Sequence, residues 1–224
     1  FLLHRVDSNQ DEIEVALQLI KERKLKGIIF LGGWFSHDEK RLKQINVPFV
    51  LSTISMFEGV DKKIYSSVSV DDVKESKKAV DCLCEYGHEK IVMLAAQPWD
   101  ESISGLRVQG YKKALEERQI PINENLIRYT FQEETAFTME NGYKLMKELL
   151  ESDEEFTAVY AISDSMAIGA SKAILESGKK IPEDYSVMGF DGLDIAYYYN
   201  PSISTIRQPV EDMAKETSKI LFDL

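Results

Sequence analysis

Short apolar runs without polar alternation recur along this chain, each followed by a stretch of helical periodicity. Gly27–Gly33 (GIIFLGG), Pro48–Thr53 (PFVLST), Lys90–Ala96 (KIVMLAA) and Phe156–Ile162 are such runs. A strand with apolar side chains on both faces belongs to a parallel sheet covered by helices on both sides. The segments between them have one apolar face. Asp11–Lys24 carries Ile13, Ala16, Leu17 and Ile20 at i, i+3, i+4 and i+7. The pattern predicts further helices over His37–Ile45, Ser104–Arg118, Thr135–Glu151 and Ser165–Ser177, and a last one from Val210. Another follows Asp72 and Glu75, which have the spacing of a capping pair. Its inner stripe is Val73, Ser76, Val80 and Leu83, and Gly87 is its stop. Further strands are expected at Leu126–Phe131, Ser186–Phe190 and Ser204–Arg207, and Phe1–Val6 is an apolar, strand-like run. This is α/β architecture with doubly wound parallel sheets. The irregular stretch Ile54–Ser69 marks a break between two lobes.

Charge removes one class of partner. Against 27 basic residues stand 38 acidic ones, a net charge of −11, so these residues repel a phosphate backbone. No apolar run approaches the roughly 20 residues of a membrane helix. The chain begins at Phe1 without an initiator Met, and we read it as part of a longer protein. Cys82 and Cys84 lie two apart on a helix, face different ways, and read as reduced thiols. His4, His37 and His88 have no ligand spacing. No metal or cofactor site is expected.

In doubly wound folds ligands bind beyond the carboxyl ends of the strands. Arg107 follows one such end. It is either a solvated helix arginine or a partly exposed guanidinium presented to a cleft, able to make paired hydrogen bonds. Its helix carries Leu106, Tyr111 and Leu115 on the other face. Asp191 follows a strand directly. It is either a turn residue before Gly192 or an acceptor for hydroxyls or for Arg107. Ser163 ends a strand and has a hydroxyl to offer, whereas Asp164 reads as the cap of the next helix. Trp34, Trp99 and Phe137 lie in or beside strand-to-helix connections, where a ring either joins the core or stacks on the C–H face of a sugar or on a base. Tyr197–Tyr199 read as packing or partner contact. Phosphate-loop, dinucleotide, nucleophile-elbow and zinc-protease signatures are missing, and no nucleophile–base pair is evident, so the chain does not read as an enzyme.

Several strings together resemble a known family. They are VDD at Val70–Asp72, YGHEKIVMLAA (Tyr86–Ala96), LRVQGYKKAL (Leu106–Leu115), AISDSMAIGASKAI (Ala161–Ile174), IPEDYSVMGFDG (Ile181–Gly192) and PSISTIRQPV (Pro201–Val210). In combination they resemble the effector-binding core of LacI/GalR transcriptional regulators, and GIIFLGGWFSHDEKRL is similar to the galactose-operon branch. The resemblance implies two lobes of the type I periplasmic-binding-protein fold with a ligand cleft between them. The first lobe would be residues 1–70 plus 209–224, lacking its usual first strand and helix, and the second 71–208. It implies a cytoplasmic homodimer, a small sugar effector such as galactose, and operator DNA bound by a helix-turn-helix head outside this chain. The alternative is a sugar-binding uptake protein of the same fold. Position by position, Arg107 matches the effector arginine of R-x-x-GY and Asp191 the aspartate of G-[FY]-D. Phe137 falls where a stacking aromatic is common, and Gln208 at the hinge glutamine. Ser163 replaces a frequent Asn, and Thr53 stands near an effector-binding Asp.

Overall fold

The computed structural model describes residues 1–7, 10–32, 35, 37–54, 60–61, 63–100, 102–130 and 136–224. The chain divides into two compact units, Phe1–Val70 with Pro209–Leu224, and Asp71–Gln208.

The first unit holds a three-stranded parallel sheet, β1 (Ile28–Leu31), β2 (Phe49–Ser52) and β3 (Ser66–Val68), in sequence order. Helix α1 (Glu12–Arg23) starts at Asp11, whose carboxylate accepts from the Glu14 amide at 2.9 Å. Its buried Ile13 joins Phe35, Leu42, Ile45, Phe49, Leu51 and Ile54 in one apolar cluster. Helix α8 (Val210–Asp223) also belongs to this unit and packs on all three strands. Two expectations needed correction here. Phe1–Val6 forms no strand and is largely exposed, because an apolar run becomes a strand only where a sheet edge pairs with it. The expected helix over 37–45 is only α2 (Glu39–Leu42), begun by Asp38.

The second unit is a five-stranded parallel sheet in the order β5-β4-β6-β7-β8. Its strands are β4 (Ile91–Ala95), β5 (Ile127–Tyr129), β6 (Ala158–Ala161), β7 (Ser186–Asp191) and β8 (Ser204–Arg207). Every residue of β4 and β6 is buried, as their unbroken apolar runs require. The helices are α3 (Asp72–Glu85), α4 (Ile103–Glu117), α5 (Met139–Leu150), α6 (Asp164–Glu176) and the short α7 (Asp194–Tyr198). Strand order reverses between β4 and β6, since β5 lies on one side of β4 and β6 on the other. Right-handed crossovers therefore send α4 and α5 to opposite faces of the sheet. Helix α3 packs with α4, and α5 with α6.

Helix starts differ from expectation by one residue in two places. Asp71, not Asp72, caps α3, accepting from the Lys74 amide at 3.0 Å. Ser163, not Asp164, caps α6, accepting from the Met166 amide at 3.2 Å. The second residue of each pair is thereby turned into the protein, and Asp72 and Asp164 are 5% and 0% exposed. Strand β3 falls inside the stretch read as irregular, and α7 was not expected. Leu126 belongs to a short 3-10 turn ahead of β5. Residues 131 and 135, the expected ends of that strand and of α5, lie outside the described residues.

Helices α5 and α6 touch backbone to backbone. A Cβ on Gly142 would sit 2.1 Å from the Met166 carbonyl oxygen, and one on Gly169 1.9 Å from that of Met139. Neither position has room for a methyl group. Gly169→Ala is expected to cost about 1–3 kcal/mol by forcing the helices apart. Urea unfolding of the variant and wild type measures this, and equal midpoints would contradict it.

Candidate functional site

The carboxyl end of the five-stranded sheet collects most of the expected site residues. Arg107 sits in the second turn of α4, and the helix turns it inward with Val108, Tyr111 and Leu115. It is 4% exposed, which corrects the expectation of a partly exposed guanidinium on a face opposite Tyr111. Burial of an arginine requires that its donors be met. The Arg107 Nε donates to Asp72 Oδ1 at 2.8 Å, and Nη1 donates to the carbonyl of Ile162, the residue after β6. The guanidinium carbon lies 3.6 Å from the centroid of the Phe190 ring, a cation–π contact. Asp191 Oδ1 stands 3.7 Å from Nη1. Arg107 thus ties α4 to α3, β6 and β7 at the point where strand order reverses, where doubly wound folds place their ligands.

Asp191 is held from the other side by Gln208. The Gln208 amide donates to Asp191 Oδ1 at 2.8 Å, and its backbone N–H donates to the Asp191 carbonyl at 3.0 Å. Asp191 has φ +120° and Gly192 +76°, so the chain leaves β7 through two successive residues in the left-handed half of φ space. Gly192 adopts such a φ freely, whereas at Asp191 +120° lies beyond the left-handed helical region that Asp tolerates and is strained for any residue with a Cβ. Asp164 secures this turn, with Oδ2 accepting from the Leu193 amide at 2.7 Å and Oδ1 from the Thr205 hydroxyl at 2.6 Å. The close approach of Asp164 to β7 requires Gly189, where a Cβ would lie 2.4 Å from the Asp164 carboxylate.

Among the described residues, the Arg107 cation thus faces the carboxylates of Asp72, Asp164 and Asp191. Burial pushes all three carboxyls above their ordinary range. Arg107 pulls Asp72 and Asp191 part of the way back, helped at Asp191 by Gln208, while at Asp164 the Thr205 hydroxyl and the Leu193 amide do most of this and Arg107 adds least. Asp191 is the member that reaches solvent, its side chain being 26% exposed.

The remaining expected residues are placed separately. Ser163 is buried and its oxygen caps α6, beside the Ile162 carbonyl that receives Arg107. Trp99 is half-exposed between β4 and α4, and Phe137 is exposed just ahead of α5. Thr53 belongs to the other unit, where it follows β2 with φ +58°, unusual for a β-branched residue. Its hydroxyl donates to the Ser52 carbonyl at 2.6 Å, and it lines a groove of about 240 Å³ with Leu31, Ser52, Met213 and Thr217. Trp34 lies outside the described residues. Asp72 and Asp164 read from sequence as helix caps and Phe190 as the end of a strand, none of them as a site residue. For Asp72 a signal existed: positions 72, 76, 80 and 83 share the inner stripe of α3, and an acid on such a stripe demands a buried partner.

Residues 80–224 match the family of periplasmic binding protein-like domains. The chain belongs to that family. Over its whole length it is 37% identical to the HTH-type transcriptional regulator MalR of Clostridium butyricum, and it spans 65% of that protein. Its fold superimposes on the transcriptional regulator CelR in complex with cellobiose with a TM-score of 0.81. That match has 29% identity over 95% of this chain and 63% of CelR. A LacI family regulator from Enterococcus faecium with bound ribose gives a TM-score of 0.77 and 29% identity, over 99% of this chain and 77% of the other. The relatives it matches are LacI-type transcriptional regulators, in keeping with the resemblance the sequence motifs carry. These relatives are transcriptional regulators, not enzymes. Among the described residues no helix is long and apolar enough to cross a membrane.

Two expectations follow from the charge arrangement. Arg107→Ala leaves Asp72 buried without its cation, and the loss is expected at about 3–5 kcal/mol, so the variant is not the silent one an exposed arginine would give. Chemical denaturation tests this directly. Asp191 behaves oppositely. A carboxyl whose folded pKa is raised above the unfolded value destabilises increasingly as pH rises through the folded value. Asp191→Asn should therefore melt at or above wild type at neutral pH, with the advantage fading as pH falls toward the ordinary 3.8. Paired melting curves across pH check the sign.

Proposed function

We propose that this chain is the effector-sensing domain of a bacterial transcriptional regulator. In this reading it binds a small sugar at the sheet end built around Asp191 and Arg107. The observation that carries the reading is the Asp191 carboxylate, held by Gln208 and Arg107 and still reaching solvent at the reversal of strand order. A fixed, partly exposed acceptor suits the adjacent hydroxyls of a sugar, which donate to it in pairs. Support comes from the related CelR, whose structure holds cellobiose, and from the E. faecium regulator, which holds ribose. Galactose is the first sugar to test, given the likeness of Gly27–Leu42 to the galactose branch.

The output in this reading is operator DNA, bound by a helix-turn-helix segment outside these residues. A net charge of −11 sets this domain against binding DNA itself. The effector acts by favouring one of two conformations, and only through its differential affinity for them. We place the protein in the cytoplasm, as a homodimer. Exposed Leu193, Ile195, Tyr197 and Tyr198 on and beside α7 support a second copy as the partner.

A thermal-shift screen against monosaccharides and disaccharides, with nucleosides as controls, tests the sensor reading. A sugar at 100 times its Kd adds about 2.7 kcal/mol. That corresponds to about 2–4 °C per kcal/mol for a chain of this size. Asp191→Ala should abolish the shift. A shift given only by nucleosides would overturn the sugar reading.

A further inference from the structure

The Arg107 charge is already matched before any ligand arrives. Its Nε is taken by Asp72 at 2.8 Å, Nη1 by the Ile162 carbonyl, and one face by Phe190, and the residue is 4% exposed. Asp72 itself is 5% exposed, so its charge is not dissipated in solvent. With Asp191 alone, Arg107 would make a neutral pair with an open Nε edge, the arrangement that receives a phosphate or carboxylate in a two-pronged bond. With Asp72 added, and Asp164 behind the turn, the cluster carries more carboxylates than cations. The member that reaches solvent is itself a carboxylate, Asp191.

We infer that Asp72 sets the effector's charge class: by occupying the Nε edge of Arg107 and matching its charge, it makes the Asp191 site accept uncharged or cationic polyols and reject phosphorylated and carboxylated ones. The inference rests on the sugar-sensor reading of the same site. Asp72 is a positioning residue, acting through Arg107 without touching ligand. A unit charge some 10 Å from a bound anion, at an effective dielectric constant of about 20, changes affinity about ten-fold or somewhat more.

The test compares the whole chain with Asp72→Asn, which keeps the side-chain shape and an oxygen to accept from Arg107 Nε. Circular dichroism checks that the variant folds, and Asp72→Ser serves as a second variant. Inorganic phosphate is titrated first, against chloride at matched ionic strength, and followed by melting temperature and calorimetry. A panel of neutral sugars is then run beside amino sugars, uronates and sugar phosphates. Wild type is expected to show no stabilisation by phosphate and a preference for neutral or amino sugars. Asp72→Asn is expected to gain phosphate binding and to shift the ratio of sugar-phosphate to neutral-sugar affinity about ten-fold toward the anion. A purely structural role would weaken both classes alike and leave the ratio unchanged. The inference is overturned if wild type binds phosphate or sugar phosphates as tightly as neutral sugars, or if the ratio does not move. If no sugar of any class binds, the sensor reading fails, while the phosphate titration still decides the role of Asp72. A wild type that binds anionic sugars as tightly as neutral ones overturns the inference whether or not the variants fold.

Discussion

A buried guanidinium organises the candidate site. Arg107 has little solvent to share its charge with, and everything around it follows from that. Asp72 must come from α3, the Ile162 carbonyl from the end of β6, and Phe190 and Asp191 from the end of β7. Each of these elements is fixed by its own burial, so the arginine is held by parts that cannot drift independently. This is the preorganisation a binding site needs, since a group already in place loses little freedom when ligand arrives.

The arrangement carries a stability cost. Three carboxyls sit at raised pKa because burial disfavours their charged form more than Arg107 and the hydrogen bonds favour it. Apolar residues of similar volume would pack the same space at no electrostatic penalty. A fold selected for stability alone would not choose this cluster. Its place at the reversal of strand order, with Asp191 still reaching solvent, makes recognition the better account of why it is there.

Much of this was legible in sequence, and the failures share a cause. Parallel strands such as KIVMLAA announce themselves because both of their faces are apolar. Arg107, Asp191 and Gln208, placed apart along the chain, were named together and are brought together. The helix starts were misread by one residue at Asp71–Asp72 and Ser163–Asp164, where two consecutive residues are both good caps. Local chemistry does not say which caps and which turns inward. The inward one is the residue that matters, so the same ambiguity hid Asp72 and Asp164 and made Arg107 look exposed. Strand β3 escaped notice because Ser66–Val68 is short and polar, and α7 because five residues cannot show a period. Strand β3 lies in the other unit, whereas α7 follows Leu193, whose amide donates to Asp164.

The direct measurement is the side-chain NMR signal of the Arg107 Nε–H, assigned by comparison with Arg107→Lys. An Nε–H bonded to a buried carboxylate gives a resolved resonance that exchanges slowly with water. The Arg107–Asp72 bond should give such a signal, persisting at neutral pH and displaced in Asp72→Asn. A signal averaged with those of surface arginines and lost to rapid exchange would mean that Arg107 is not held by Asp72, and the site would have to be rebuilt around a mobile, solvated guanidinium.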